Sequence, residues 1–207
     1  MKKNPTKQKV IDAASFLFFQ NGFHGTSVRD IADKATVNVS LISYYFKSKQ
    51  GLLEYAVTQY YEAYLETIEA SEQEHEGLPP LDRLKKMIEA IIQYKQDNHQ
   101  LSCFIQRELS LDSVFVREMA VTYLAKENYV ISNAFYAIFP GRIRKHLDNQ
   151  FLLMQLKGML ITPYMIQHEW KNQIVDEFSH HQFVKKYTKT IDNWLDYVVA
   201  QSSEMTR

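Results

Sequence analysis

The chain has 207 residues, 24 acidic and 24 basic side chains, and one cysteine, Cys103. This length can bury a sizeable core, and a single cysteine excludes an intrachain disulfide, so small disulfide-stabilised proteins are excluded. The apolar stretch 151–166 contains Lys157 and Pro163 and is shorter than the ~20 residues of a membrane span. We expect a cytoplasmic protein with no membrane span and with a buried thiol at Cys103.

Positive charge is concentrated at the start of the chain. Residues 1–50 contain eight Lys or Arg and three Asp, a net charge of +5, and the remaining residues carry −5. Such an asymmetry is expected when one region of a protein contacts phosphate groups and the rest does not. The charge distribution therefore favours a phosphate-bearing partner, such as double-stranded DNA, for the first 50 residues.

The first predicted helix begins near Val10 and ends before Gly22. Gly22 suits the left-handed conformation that follows many helices. Apolar side chains recur at helical spacing along the helix and are expected to face inward: Val10, Ala13, Ala14, Leu17 and Phe18. This helix would support the two short helices that follow it.

Residues 26–49 predict two short helices joined by a tight turn. Thr26 and Ser27 can cap the first helix and Asn38 the second, because their side-chain oxygens accept hydrogen bonds from unpaired N–H groups. The inward stripe of the second helix consists of Val39, Ile42 and Phe46. This pattern is typical of a helix-turn-helix, and an ordinary αα-hairpin with solvated polar side chains is the alternative.

The other side of the second helix carries the candidate DNA-contacting residues. Short hydroxyls and tyrosines can bond to base edges or phosphates without holding the helix away from a groove. Lys47 and Lys49 follow at positions where cations would meet phosphates. The candidate set is Thr26, Ser27, Asn38, Ser40, Leu41, Ser43, Tyr44, Tyr45, Lys47 and Lys49.

Three spaced motifs carry a family resemblance. They are Val10-Ile11-x-Ala13-Ala14-x-x-Leu17-Phe18, then Gly22-Phe23-x-x-Thr26-Ser27-Val28-Arg29-Asp30-Ile31-Ala32, then Asn38-Val39-x-x-Ile42-x-Tyr44-Tyr45-Phe46-Lys47-Ser48-Lys49-x-Gly51-Leu52-Leu53. Together they resemble the N-terminal domain of the TetR family of transcriptional regulators. The resemblance implies an all-α homodimer with a three-helix DNA-binding head at 1–50 and a helical dimerisation and regulatory body at 51–207.

The resemblance also implies roles within the head. Thr26, Ser43, Tyr45 and Lys49 fall where the family contacts phosphate. The positions at which the family approaches or contacts bases are occupied by Ser40, Leu41 and Tyr44. Many members carry Tyr at the position of Ser43, so a phosphate contact there is expected to be weaker or to be made by Tyr44.

The periodicity of the remaining sequence predicts helices only. Ser48 is expected to cap a long helix that ends near Glu74 and links head to body. Further helices are predicted at 81–98, 101–109, 113–139, 149–170 and 179–201. No stretch alternates long enough to indicate a sheet, so the predicted fold class is all-α.

The last two predicted helices are the candidate dimer interface, because the family builds a four-helix bundle from this pair. The first is apolar nearly all round and must therefore be covered. The alternative is that both helices cover only their own core. The candidate interface residues are Met154, Gly158, Leu160, Tyr187, Ile191, Trp194, Leu195 and Val198.

No motif indicates an enzyme, a cofactor or a metal site. The chain has no Gly-rich phosphate loop or nucleophile elbow, and His180-His181 is better explained as a surface helix start, since adjacent helical residues diverge by ~100°. Two regulatory functions stay open. One is repression relieved by a small-molecule effector that binds the body, and the other is DNA binding coupled to a protein partner.

The second function rests on a closer resemblance within the family. Residues 38–55 and the chain length look similar to a Bacillus-type, nucleoid-associated regulator that modulates the division protein FtsZ. That resemblance would make FtsZ the protein partner. A charged face with Arg107, Arg117 and Glu118 is the candidate contact.

Overall fold

The computed structural model describes residues 4–109, 118, 120–139, 147–165 and 180–204, and over these ranges it contains helices and turns but no strand. The all-α prediction is confirmed. The helices are α1 Pro5–Asn21, α2 Val28–Ala35, α3 Val39–Phe46, α4 Lys49–Glu74, α5 Pro80–Asp97, α6 His99–Leu109, α7 Ala125–Ala137, α8 Leu147–Met165 and α9 His180–Glu204.

Short-range capping fixes where the first helices begin. The side chain of Ser27 accepts from the N–H of Asp30, and the Asp30 carboxylate accepts from the N–H of Ser27. Asn38 caps α3 by accepting from the N–H of Ser40, and Ser48 accepts from the N–H of Gly51 at the start of α4. These three caps agree with the sequence prediction.

Helix α1 begins five residues earlier than predicted. The side chain of Asn4 accepts from the N–H groups of Thr6 and Lys7, and Pro5 occupies a first-turn position where a missing N–H costs nothing. Gly22 follows α1 with φ 74° and donates its N–H to the carbonyl of Phe18. The positive φ explains the glycine, because side chains with a Cβ are disfavoured there.

The later helices differ from the predictions mainly at their ends. Instead of one helix over 113–139, the described part has a π-helical turn, Ala120–Leu124, followed by α7. Helix α8 includes Pro163 in its last turn and ends at Met165. Residues 113–117, 119, 166–170 and 179 of the predicted helices lie outside the described residues.

The chain divides into two compact units. Unit 1 comprises Met1–Ala63 and Asn98–Ser110, and unit 2 comprises Tyr64–Asp97 and Leu111–Arg207. The functional boundary predicted after residue 50 stays a prediction. Apolar side chains of α1, α2, α3 and α6 form the core of unit 1, among them Val10, Phe18, Ile31, Ile42, Phe46 and Phe104.

Unit 2 has its own apolar core, built mainly from α5 and the helices packed on it. Its buried side chains include Leu84, Ile88, Ile91, Phe135, Leu156, Ile191 and Leu195. Within the described residues, no helix has the length and apolar character needed to span a bilayer. Cys103 of unit 1 is buried, as predicted.

Candidate nucleic-acid interface

Helix α3 has one buried and one exposed side. Ile42 and Phe46 are buried in unit 1, whereas Tyr44 is 79% exposed. Ser40 and Ser43 are also exposed. Val39 was predicted to face inward but is 38% exposed, because it occupies the first turn of α3 at the edge of the core. The exposed side of α3 thus carries most of the residues predicted to approach bases.

Two hydrogen bonds set which groups of α3 are available to a ligand. The hydroxyl of Ser40 donates to Oδ1 of Asn38 over 2.7 Å, which leaves the Ser40 oxygen available as an acceptor. The hydroxyl oxygen of Tyr45 accepts from Nδ2 of Asn4 over 3.2 Å, which leaves its O–H available as a donor. Ser40 can therefore accept from a base amino group, and Tyr45 can donate to a phosphate oxygen.

The remaining predicted residues on this side differ in exposure. Leu41 is half-buried, and the ring of Tyr44 packs edge-on against Tyr45 at 5.1 Å between centroids. Lys47 is exposed and ends α3 with φ 67°. Ser27 and Asn38 are both exposed and act as helix caps. All of these residues lie in unit 1.

Thr26 and Lys49 have internal partners rather than freely exposed polar groups. The Thr26 side chain is buried, and its hydroxyl lies 2.9 Å from the Gly22 carbonyl and 3.2 Å from that of Leu17. The Lys49 ammonium donates to the carbonyls of Phe23 and Thr26 over 2.8 and 2.7 Å. This corrects the expectation that the Thr26 side chain faces phosphate, because both of its acceptors lie within the protein.

The candidate dimer residues fall into two groups. Leu160, Ile191, Leu195 and Val198 are buried in unit 2, so these four serve the chain's own core, the alternative left open by the sequence. Tyr187 is half-buried and its hydroxyl donates to the Met159 carbonyl, and burial raises the pKa of Tyr187 to about 12. Trp194 is half-buried.

An exposed apolar set lies on the same two helices. Met154 is 65% exposed, and Gly158 is exposed too. Sequence reasoning missed three other exposed apolar side chains on α8 and α9, namely Phe151, Met165 and Tyr197. The signal for Phe151 and Met165 is the apolar character of α8 nearly all round, since one core cannot cover every side of a helix. Phe151, Met154 and Met165 recur at helical spacing on one side of α8, and a contiguous exposed apolar patch is typical of interaction surfaces.

The candidate protein-partner face is only partly described. Glu118 is exposed, and Arg117 lies outside the described residues. Arg107 is half-buried and donates to the carbonyls of Phe18 and Phe19, at 2.8 and 3.4 Å. Arg107 therefore has acceptors within the protein, and its place in the candidate contact stays a prediction. Over the described ranges, no group of three His, Cys, Asp or Glu side chains could hold a metal ion.

Comparisons with known proteins agree with the helix-turn-helix seen in the head. The family model "Bacterial regulatory proteins, tetR family" matches residues 10–56. A relative described as "Probable HTH-type transcriptional regulator YttP", from Bacillus subtilis, is 37% identical over 194 residues and covers 93% of both chains. The chain belongs to the TetR family. The relatives found are transcriptional regulators rather than enzymes.

Solved structures share the fold at low sequence identity. A TetR-like transcriptional regulator from Rhodococcus sp. RHA1 has a TM-score of 0.69 at 16% identity, over 96% of this chain and 98% of that one. FadR from Bacillus subtilis in complex with stearoyl-CoA has a TM-score of 0.63 at 21% identity, over 88% and 95% of the two chains. These similarities support the helical TetR-like architecture.

Proposed function

We propose that the chain is a sequence-specific, homodimeric DNA-binding regulator that recognises palindromic sites in double-stranded DNA. The observation that carries the proposal is the exposed side of α3. The opposite side of this helix is buried through Ile42 and Phe46. A short helix anchored in this way can enter a major groove. The head around it carries a net charge of +5, which favours phosphate contacts.

Within this proposal, base contacts and phosphate contacts come from different groups. Ser40, Leu41 and Tyr44 contact base edges, and Tyr45, Ser43 and Lys47 contact phosphates. Lys49 also belongs to the phosphate-contacting group. Two of its three ammonium N–H groups donate to carbonyls, and the third can donate to a phosphate. Ser27 and Asn38 hold the N-terminal ends of α2 and α3 in place.

The proposed dimer forms through the exposed apolar set on α8 and α9: Phe151, Met154, Met165 and Tyr197, with Gly158 and Trp194 beside them. A two-fold dimer would place two recognition helices ~34 Å apart, one helical turn of DNA. Met154→Arg should convert a dimer to a monomer in sedimentation experiments. Retention of the dimer in that variant and in Tyr197→Arg would contradict this interface.

Genome-wide mapping of bound DNA tests the proposed function and separates its two forms. Palindromic sites at promoters would support a transcriptional repressor. A few palindromic sites scattered away from promoters would support a DNA-bound modulator of another process. Binding without sequence preference would contradict both forms.

Control by a small-molecule effector is the second candidate, and a polar network inside unit 2 favours it. The buried Lys95 ammonium lies 3.8 Å from the Glu127 carboxylate, and the Tyr64 hydroxyl donates to that carboxylate over 2.6 Å. Desolvation lowers the pKa of Lys95, so its charge depends on an anionic partner. An acidic effector could replace Glu127 as that partner, and thermal shift with fatty acids and acyl-CoA tests this.

A role in cell division stays a prediction from the resemblance to the regulator RefZ. It would make FtsZ the protein partner, with Glu118 and the undescribed Arg117 in the contact. Co-sedimentation of the DNA-bound protein with FtsZ polymers tests this role. Glu118→Lys should abolish such a contact and leave DNA affinity unchanged.

A further inference from the structure

The C-terminal end of α1 is a convergence point for side chains from distant parts of unit 1. The last carbonyls of a helix have no partner within that helix, and the end carries a partial negative charge. Here the Phe18 carbonyl accepts from the N–H of Gly22 and from Arg107, and the Phe19 carbonyl accepts from Arg107. The end of α1 is thus satisfied partly by a residue 88 positions away in sequence.

A second cation serves the segment that follows α1. The ammonium of Lys49, the first residue of α4, bonds to the carbonyls of Phe23 and Thr26 and lies 4.3 Å from the Phe23 ring centroid. The single O–H of Thr26 is shared between the carbonyls of Gly22, at 2.9 Å, and Leu17, at 3.2 Å. These contacts fix the backbone of 22–26, which leads directly into α2.

Arg107 is held in place by aromatic packing. Its guanidinium lies 5.7 Å from the ring centroid of Phe104, and that ring stacks on Phe18 at 5.4 Å. Phe104 and Phe18 are fully buried. A guanidinium presents its N–H groups in a fixed plane and can bond to two successive carbonyls at once, whereas an ammonium at this position would keep the charge and part of this bonding.

We propose that Arg107 caps the end of α1 while Lys49 holds the segment that follows it, and that this two-part cationic cap makes Arg107 a positioning residue for DNA recognition. The cap fixes segment 22–26 and hence the direction of α2, on which α3 packs. Arg107 itself contacts no DNA. The effect on recognition rests on the proposed function, whereas the effect on segment 22–26 does not.

Hydrogen exchange and DNA binding of three variants test the cap. Arg107→Met removes the donors to the Phe18 and Phe19 carbonyls and keeps an unbranched apolar side chain. Arg107→Lys keeps the charge, and Arg83→Met on α5 is a control for the loss of one positive charge. In Arg107→Met the amides of Gly22 and Thr26 should exchange roughly tenfold faster. Arg107→Lys should restore most of this protection, and Arg83→Met should not alter it.

The DNA measurement distinguishes positioning from direct contact. For Arg107→Met we expect affinity to fall about tenfold, with an unchanged slope of log K against log salt and unchanged base preference, because no phosphate contact is lost. A slope smaller by about one would overturn the proposal in favour of a phosphate contact.

Two further outcomes would also overturn it. One is unchanged exchange in Arg107→Met, and the other is equal loss of protection in Arg107→Lys and Arg107→Met, which would make the contribution one of packing shape rather than charge. If Arg107→Met does not fold, exchange in Arg107→Lys decides, since the cap predicts a small but measurable increase there. Failure of the wild-type protein to bind palindromic DNA would refute the proposed function, while the exchange result still decides the cap.

Discussion

The exposed side of α3 and the 22–26 segment lie in the same head and use similar polar residues in opposite ways. On α3, Ser40 and Tyr44 face outward. At the 22–26 segment, the hydroxyl of Thr26 and the ammonium of Lys49 bond to backbone carbonyls. A polar residue in a DNA-binding motif can therefore act by contact with DNA or by holding the contact surface in place, and stability measurements separate the two.

The largest expected effect is that of Lys49→Met, because it removes two charge-assisted hydrogen bonds. We expect the free energy of unfolding to fall by about 1.5–3 kcal/mol. DNA affinity should weaken for all sequences, with a salt slope smaller by about one, if the third donor contacts phosphate. Chemical denaturation and salt titration measure the two effects. Unchanged stability would show that Lys49 does not hold the 22–26 segment and would leave DNA contact as its role.

Thr26→Val tests the same segment without a change in charge. The carbonyls of Leu17 and Gly22 would lose the donor that they share, so we expect a loss of about 1–2 kcal/mol in unfolding free energy. Thr26→Ser is the matched control and should retain most of that stability. Equal stability of the valine variant and the wild type would show that the hydroxyl contributes nothing to the segment.

Ser40→Ala tests the exposed side. We expect unfolding free energy to change by less than about 0.5 kcal/mol, because the residue is exposed. Binding should lose about 1 kcal/mol at sites that present a cytosine or adenine amino group to Ser40, and little elsewhere. Ser43→Ala is the control, since loss of a phosphate contact weakens binding to all sequences alike. Unaltered base preference in Ser40→Ala would exclude Ser40 from recognition.

The smallest expected effect concerns Asp30 in the capping box. Hydrogen bonds from the side chain and backbone of Ser27 lower the pKa of this carboxyl. A group with a lowered pKa in the folded state stabilises the protein above its unfolded pKa, and this contribution is lost as pH falls through the folded value. Thermal melts in acid should therefore show a shallower pH dependence for Asp30→Asn. An identical dependence in variant and wild type would contradict this contribution.

Local rules predicted the helix caps because their partners are close in sequence. Ser27, Asn38 and Ser48 bond to groups two or three residues away. The internal roles of Lys49 and Arg107 could not be predicted, since their acceptors lie 23 to 89 residues away. Only the tertiary structure brings these groups together.

The dimer prediction shows a second limit of sequence patterns. An apolar stripe indicates that a helix is covered, but not by what. Ile191, Leu195 and Val198 belong to such a stripe and are buried within unit 2. Tyr197 of α9 lies outside this stripe and is exposed, and Phe151 on the almost wholly apolar α8 is exposed too. The covered face and the face available to a second copy differ by a rotation about the helix axis, which the stripe does not reveal.

Selection of bound sequences from random double-stranded DNA tests the central claim most directly. The account predicts a palindrome whose half-site centres lie about 10 base pairs apart, and an altered base preference in Ser40→Ala and Tyr44→Ala. Enrichment of no sequence, or the same sequence for the wild type and both variants, would contradict recognition by the exposed side of α3.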